Sequence, residues 1–102
     1  MVPQKLSTTP RSSAQDLQPS PDVLWQRLDD EVIVMQLQTD RIFSLNPTGA
    51  RFWELVAGGM KLDAIREEMG KEFDVPPDIL AAEVEGILAL LIGEQLLIPR
   101  EP

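Results

Sequence analysis

Between residues 23 and 45 the apolar positions fall in short runs that partly alternate with polar ones. After residue 47 they recur every three or four residues, so the chain divides into a β half and an α half. Strands are predicted at 23–28, 32–37 and 41–45, separated by Asp29-Asp30-Glu31 and Gln38-Thr39-Asp40. Connections this short make the three strands an antiparallel meander. In the second strand Ile33, Met35 and Leu37 share one face and Val32, Val34 and Gln36 the other, so both faces of the sheet carry apolar side chains. Such a sheet has two free edges, and the third strand, with the helical half beside it, is the one expected to offer its edge to another extended segment.

The third strand runs into a helix with almost no loop. Asn46 suits the N-cap, and Pro47 suits the first helical position, where its missing N–H costs nothing. Phe52, Leu55 and Val56 give the first helix its apolar stripe before Gly58-Gly59 ends it. A second helix is predicted from about Lys61, with Leu62, Ile65 and Met69 inward, closing at Gly70 or in the turn Phe73-Asp74-Val75. Pro76-Pro77 opens a third helix that runs to about Ile92 and stops at Gly93, and Leu96-Leu97-Ile98 before Pro99 forms a short strand or extended packing segment. The class is therefore α+β, a three-stranded antiparallel sheet followed by three helices, in a winged helix-turn-helix topology. The expected domain covers 22–99, with a disordered tail over 1–21, rich in Ser, Thr, Gln and Pro, and a C-terminal tail at 100–102.

Composition narrows the chemistry. The 102 residues include no Cys and no His, which removes disulfides, thiolate nucleophiles, Cys/His metal sites and imidazole acid–base catalysis. No enzyme activity, cofactor or metal is expected. The formal net charge of −8 disfavours a phosphate backbone as partner. The third helix, which would enter a DNA groove in a winged-helix regulator, carries Asp78, Glu83 and Glu85 and no Lys or Arg. No apolar run approaches the roughly 20 residues of a membrane span, and no secretory signal is visible, so a cytoplasmic protein without membrane or nucleic-acid partners is expected. Phe43, Phe52 and Trp53 are expected as core rather than as a stacking platform. Asp29-Asp30-Glu31 lacks the spaced ligands of a calcium loop, and Glu67-Glu68 lacks a pocket.

Several features taken in order resemble one family. They are the apolar third strand ending in Leu45-Asn46-Pro47-Thr48-Gly49-Ala50, Trp53, the Gly58-Gly59 break and Leu62-Asp63-Ala64-Ile65. The third helix continues the match with Ile79, Val84, Ile87, Leu88 and Leu91 before Gly93 and Leu96-Leu97. From about residue 23 to 98 the chain resembles the PqqD-like proteins, recognition elements for precursor peptides of ribosomally made, post-translationally modified natural products. The resemblance implies a non-catalytic peptide chaperone that binds the leader segment as an added strand. It would then present the precursor to a modifying enzyme such as a leader peptidase or a radical SAM enzyme.

Carried over residue by residue, the resemblance points to Arg41, Ile42, Phe43, Ser44 and Leu45 as the docking strand. On the third helix Ile79, Glu83, Gly86 and Leu90 form a stripe beside the core stripe of Leu80, Val84, Ile87 and Leu91, and this second stripe is expected to face the peptide. Gly86 is explained equally well by close approach of a ligand side chain or of a neighbouring helix. Glu83 is a candidate partner for a basic leader residue, against the stronger expectation of an ordinary solvated carboxylate. The implied product is a lasso peptide or another peptide product, with pyrroloquinoline quinone as a further alternative. A winged-helix regulator or protein-interaction module is the competing function. The protein is expected to be a monomer or a strand-paired homodimer.

Overall fold

A computed structural model describes residues 16–100, and the parts of the expected tails at 1–15 and 101–102 lie outside the described residues. Eight elements follow in order: β1 (Leu17–Pro19), β2 (Val23–Leu28), β3 (Glu31–Gln36), β4 (Arg41–Leu45), α1 (Pro47–Ala57), α2 (Leu62–Glu72), α3 (Pro77–Gly93) and β5 (Leu97–Pro99). The meander has the order β2-β3-β4, and β1 with β5 makes a separate two-stranded sheet. The architecture is α+β, a three-stranded antiparallel sheet followed by three helices.

Each boundary has a local cause. Asn46 caps α1 by accepting the Gly49 N–H at 2.9 Å, and Pro47 occupies the first turn. At its other end Gly59 takes a φ of 92°, and the bonds Gly59 N–H to Val56 O and Met60 N–H to Leu55 O close a Schellman motif. α3 closes the same way without a glycine at the turning position. It runs through Gly93, and Gln95 adopts a φ of 62° while the N–H groups of Gln95 and Leu96 bond Ile92 O and Leu91 O. The helix thus ends one residue later than expected, at Gly93, and the left-handed turn falls on Gln95 rather than on the glycine.

β3 begins and ends one residue earlier than expected. Asp29 takes the left-handed conformation at φ 57°, so Asp29 and Asp30 alone make the turn and Glu31 pairs with Leu28. Leu37 leaves the strand while its N–H still bonds Asp22 O at 2.9 Å.

The larger correction concerns the tail. Its last part is ordered: Leu17–Pro19 pairs with Leu97–Pro99, and Leu17 is buried beside Val56, Met60, Leu62 and Ile65. Bonds from Ser20 N–H to Leu96 O and from Arg100 N–H to Asp16 O extend the pairing. Composition around residue 17 is polar, and the partner lies about eighty positions along the chain, so no local pattern announces the strand.

The core sits between the inner face of the meander and the three helices. Val32, Val34, Phe52, Trp53, Ile65, Met69, Leu91 and Leu96 are fully or almost fully buried there. Trp25 packs edge-on against Trp53 with centroids 6.0 Å apart. No helix among the described residues is long and apolar enough to cross a membrane.

Candidate functional site

Among the described residues β4 pairs with β3 on one side and with no strand on the other. Alternate N–H and C=O groups along Arg41–Leu45 therefore point away from the sheet and toward open space. The register with β3 assigns the side chains. Phe43 and Leu45 lie on the inner face opposite Val34 and Val32, Leu45 buried and Phe43 half-buried, while Ile42 and Ser44 lie on the outer face opposite Met35 and Ile33. Ser44 Oγ donates to Glu31 Oε1 at 3.3 Å across the sheet, so its hydroxyl is engaged on the outer face.

α3 lies alongside this edge and antiparallel to it. At one end the Arg41 guanidinium stacks over Phe43, 5.4 Å from the ring centroid, and pairs with Glu94 at 3.2 Å. At the other end a Cβ added to Gly49 would sit 3.4 Å from Leu45 Cβ and 3.9 Å from Ile87 Cδ1, so β4, α1 and α3 converge at that glycine. From Ile87 to Glu94 the helix advances about 10 Å and from Leu45 to Arg41 the strand advances about 13 Å, so the two segments run side by side over most of β4 and border a candidate groove.

Helical geometry then orders the side chains around α3. At about 100° per residue, Ile87 and Glu94 mark the direction of β4, and Glu83, Leu90, Ile79 and Gly86 spread over about 30° to 90° from it on the side away from the core. Leu80, Val84 and Leu91 are buried on the core side, whereas Ile79 is 52% and Leu90 43% exposed. Leu90 stands one turn before Glu94, level with the Arg41–Phe43 end of the strand. Gly86 falls near the level of Leu45 and has open space where a Cβ would stand. A neighbouring helix therefore does not account for that glycine. Glu83 makes no ion pair among the described residues. Ile79 lies about 12 Å beyond Ile87 along the helix, past the end of β4, so it is separated from the five strand residues rather than gathered with them.

Two residues that complete the groove escaped the sequence. Gln36 is buried on the inner face, donates from Nε2 to Gln95 O at 2.7 Å and accepts the Gln38 N–H at 2.9 Å, which ties the sheet to the end of α3. An amide among the inward-facing valines was the signal. Glu94 had none, because its partner Arg41 is distant in the chain.

Elsewhere the features are structural. Arg51 holds Glu72 through bonds of 2.8 and 2.7 Å, which keeps the Glu72 carboxyl below its usual range and raises Arg51. Glu54 links this pair to Arg27 on the sheet. An apolar recess of about 200 Å³ lies between α2 and α3, beyond the core stripe from the groove, lined by Gly70, Val75, Pro77, Leu80 and Ala81. Among the described residues no group of three acidic side chains could hold a metal ion.

Comparison with known proteins bears on this groove. The sequence model of the family described as coenzyme PQQ synthesis protein D (PqqD) matches residues 31–97. No curated protein matches the chain. The fold is similar to a solved structure of TbiB1 in complex with the TbiA(beta) leader peptide, with a TM-score of 0.75 and 27% identity over 83% of this chain and 99% of that one. It is also similar to lasso peptide synthetase B1 complexed with the leader peptide, with a TM-score of 0.71, 82% of this chain and 99% of that chain covered; at 13% identity this likeness concerns the fold alone.

Proposed function

The chain belongs to the PqqD family, and from that premise we propose that it is a leader-binding partner protein of a peptide-modifying pathway, holding the leader of a ribosomally made precursor as a fourth strand on β4. The observation that carries this is the open edge of Arg41–Leu45 with α3 bridged to it through Arg41 and Glu94. Backbone groups on the edge give affinity whatever the peptide sequence, and side-chain pockets select it. Phe43, Leu45 and Leu90 supply apolar contact, Gly86 leaves room for a leader side chain, and Glu83 is free to meet a basic one. Ile79 contacts the leader only where the peptide continues past Leu45.

The α1–α3 set behind the meander corresponds to a winged helix-turn-helix used for a peptide in place of DNA. With no Cys or His in the chain, the protein does no chemistry of its own and delivers the precursor to an enzyme, in the cytoplasm where the precursor is made. A lasso-peptide system is the favoured setting, given the leader complexes of the two similar folds. The protein acts as a monomer, since a homodimer paired through β4 would occupy the same edge.

The test is a backbone amide NMR titration with the leader peptide encoded beside this chain's gene, at low and moderate salt. Shifts concentrated at 41–45 and 83–94, little changed by salt, are expected. No response to the leader, with a steeply salt-dependent response to duplex DNA, overturns the proposal.

A further inference from the structure

The outer face of the meander is apolar and uncovered among the described residues. Leu24 is 60%, Leu28 50% and Ile42 61% exposed, and the register places Leu24, Met35 and Ile42 in one row across all three strands. Ile33 and Met35 help form a shallow concavity of about 250 Å³ with the two leucines. Among the described residues no Lys or Arg stands on this face. Its ends are acidic, with Asp29, Asp30 and Glu31 at one turn and Asp40 at the other.

The row runs to β4, where the proposed leader strand joins. Side chains alternate along any strand, so a peptide that sends half of its side chains into the groove beside α3 must send the other half onto this outer face, next to Ile42 and Ser44. The three strands alone cover roughly 300 Å², well below the roughly 800 Å² per partner of a standard interface. A fourth strand widens the patch and adds side chains that only the loaded protein has. Both ends of the face are acidic, so two copies packed face to face would bring like charges together in either orientation.

We propose that this outer face, extended by the bound leader strand, is the docking surface for the enzyme that acts on the precursor, a protein presenting a flat apolar patch with a basic rim. The inference rests on leader addition at β4. It makes loading and delivery one event: the enzyme meets its full surface only when the peptide is in place.

The test measures association of the peptide-modifying enzyme encoded beside this chain's gene, with and without the leader peptide, by biolayer interferometry. For the native chain the leader is expected to strengthen enzyme binding by about tenfold. The double variant L24K/L28K, on the strand farthest from the leader, should keep leader affinity within about twofold and lose at least about tenfold in enzyme affinity. The milder L24S/L28S pair, checked by its amide spectrum, should show a smaller loss of the same kind. Enzyme binding unchanged in both variants, with leader binding intact, overturns the docking face and leaves the leader site standing. Self-association of the native chain that L24K/L28K abolishes, with enzyme binding unaffected, assigns the face to a second copy and also overturns it. Failure of the native chain to bind leader strikes the leader site itself, and this inference with it.

Discussion

α3 carries two apolar stripes about 100° apart, and they have opposite fates. Leu80, Val84 and Leu91 are 6%, 2% and 0% exposed, closed against the sheet and the other helices, while Ile79 and Leu90 on the neighbouring stripe are about half exposed. Hydrophobicity alone does not separate them. What does is the geometry around the helix: one stripe meets elements of the same chain, and the other borders a strand edge whose outward backbone groups have no partner among the described residues. A solvent-facing Leu on its own needs no explanation, but Leu90 stands beside an open strand edge and Ile79 continues the same stripe beyond it.

Substitution in each stripe should therefore affect a different property. The largest effect is expected from Leu91→Ala, which empties a fully buried site and should lower unfolding free energy by about 2–5 kcal/mol in urea denaturation. A loss under about 1 kcal/mol would mean that the core stripe is not closed. Next, Leu90→Lys should leave stability within about 0.5 kcal/mol yet weaken leader binding about tenfold by calorimetry. Unchanged binding by the folded variant removes Leu90 from the groove.

Gly86→Ala sharpens the contrast further. Its Cβ meets nothing in the free protein, so helix propensity should stabilise the variant by about 0.5–1 kcal/mol in thermal melts. If a leader side chain uses that space, affinity falls as stability rises, and a parallel gain in both shows the space is not used.

The smallest effect belongs to a pair outside both stripes. Glu72 has its carboxyl held below the usual range by Arg51, so the pair adds stability that is present at neutral pH and lost as pH falls through the lowered value. Both side chains are about one-third exposed, so Glu72→Gln should cost well under about 1 kcal/mol at pH 7, and less as pH drops below about 4. Leader binding should not change.

Much of the frame was legible beforehand. The Asn46-Pro47 junction, the Gly58-Gly59 break and the stripe Leu62, Ile65, Met69 are local signals, and each acts through the dihedral preference or helical spacing of adjacent residues. The strand at 41–45 was legible for the same reason. Gln36 was half legible, as a polar residue on an apolar face. β1 was not, because Leu17–Pro19 has strand character only in the presence of Leu97–Pro99.

The sequence by itself determined the periodicities and the caps, which depend on residues within about one helical turn or one strand of each other, and the family resemblance, which depends on the order and spacing of such local features along the chain. Tertiary structure decided that Arg41 and Glu94 bridge the groove, that Gln36 anchors the end of α3, and that the described residues leave the outer face bare. Those depend on contacts between segments far apart in the chain, whose closure cost is met only by the whole fold at once, so no window of sequence could display them.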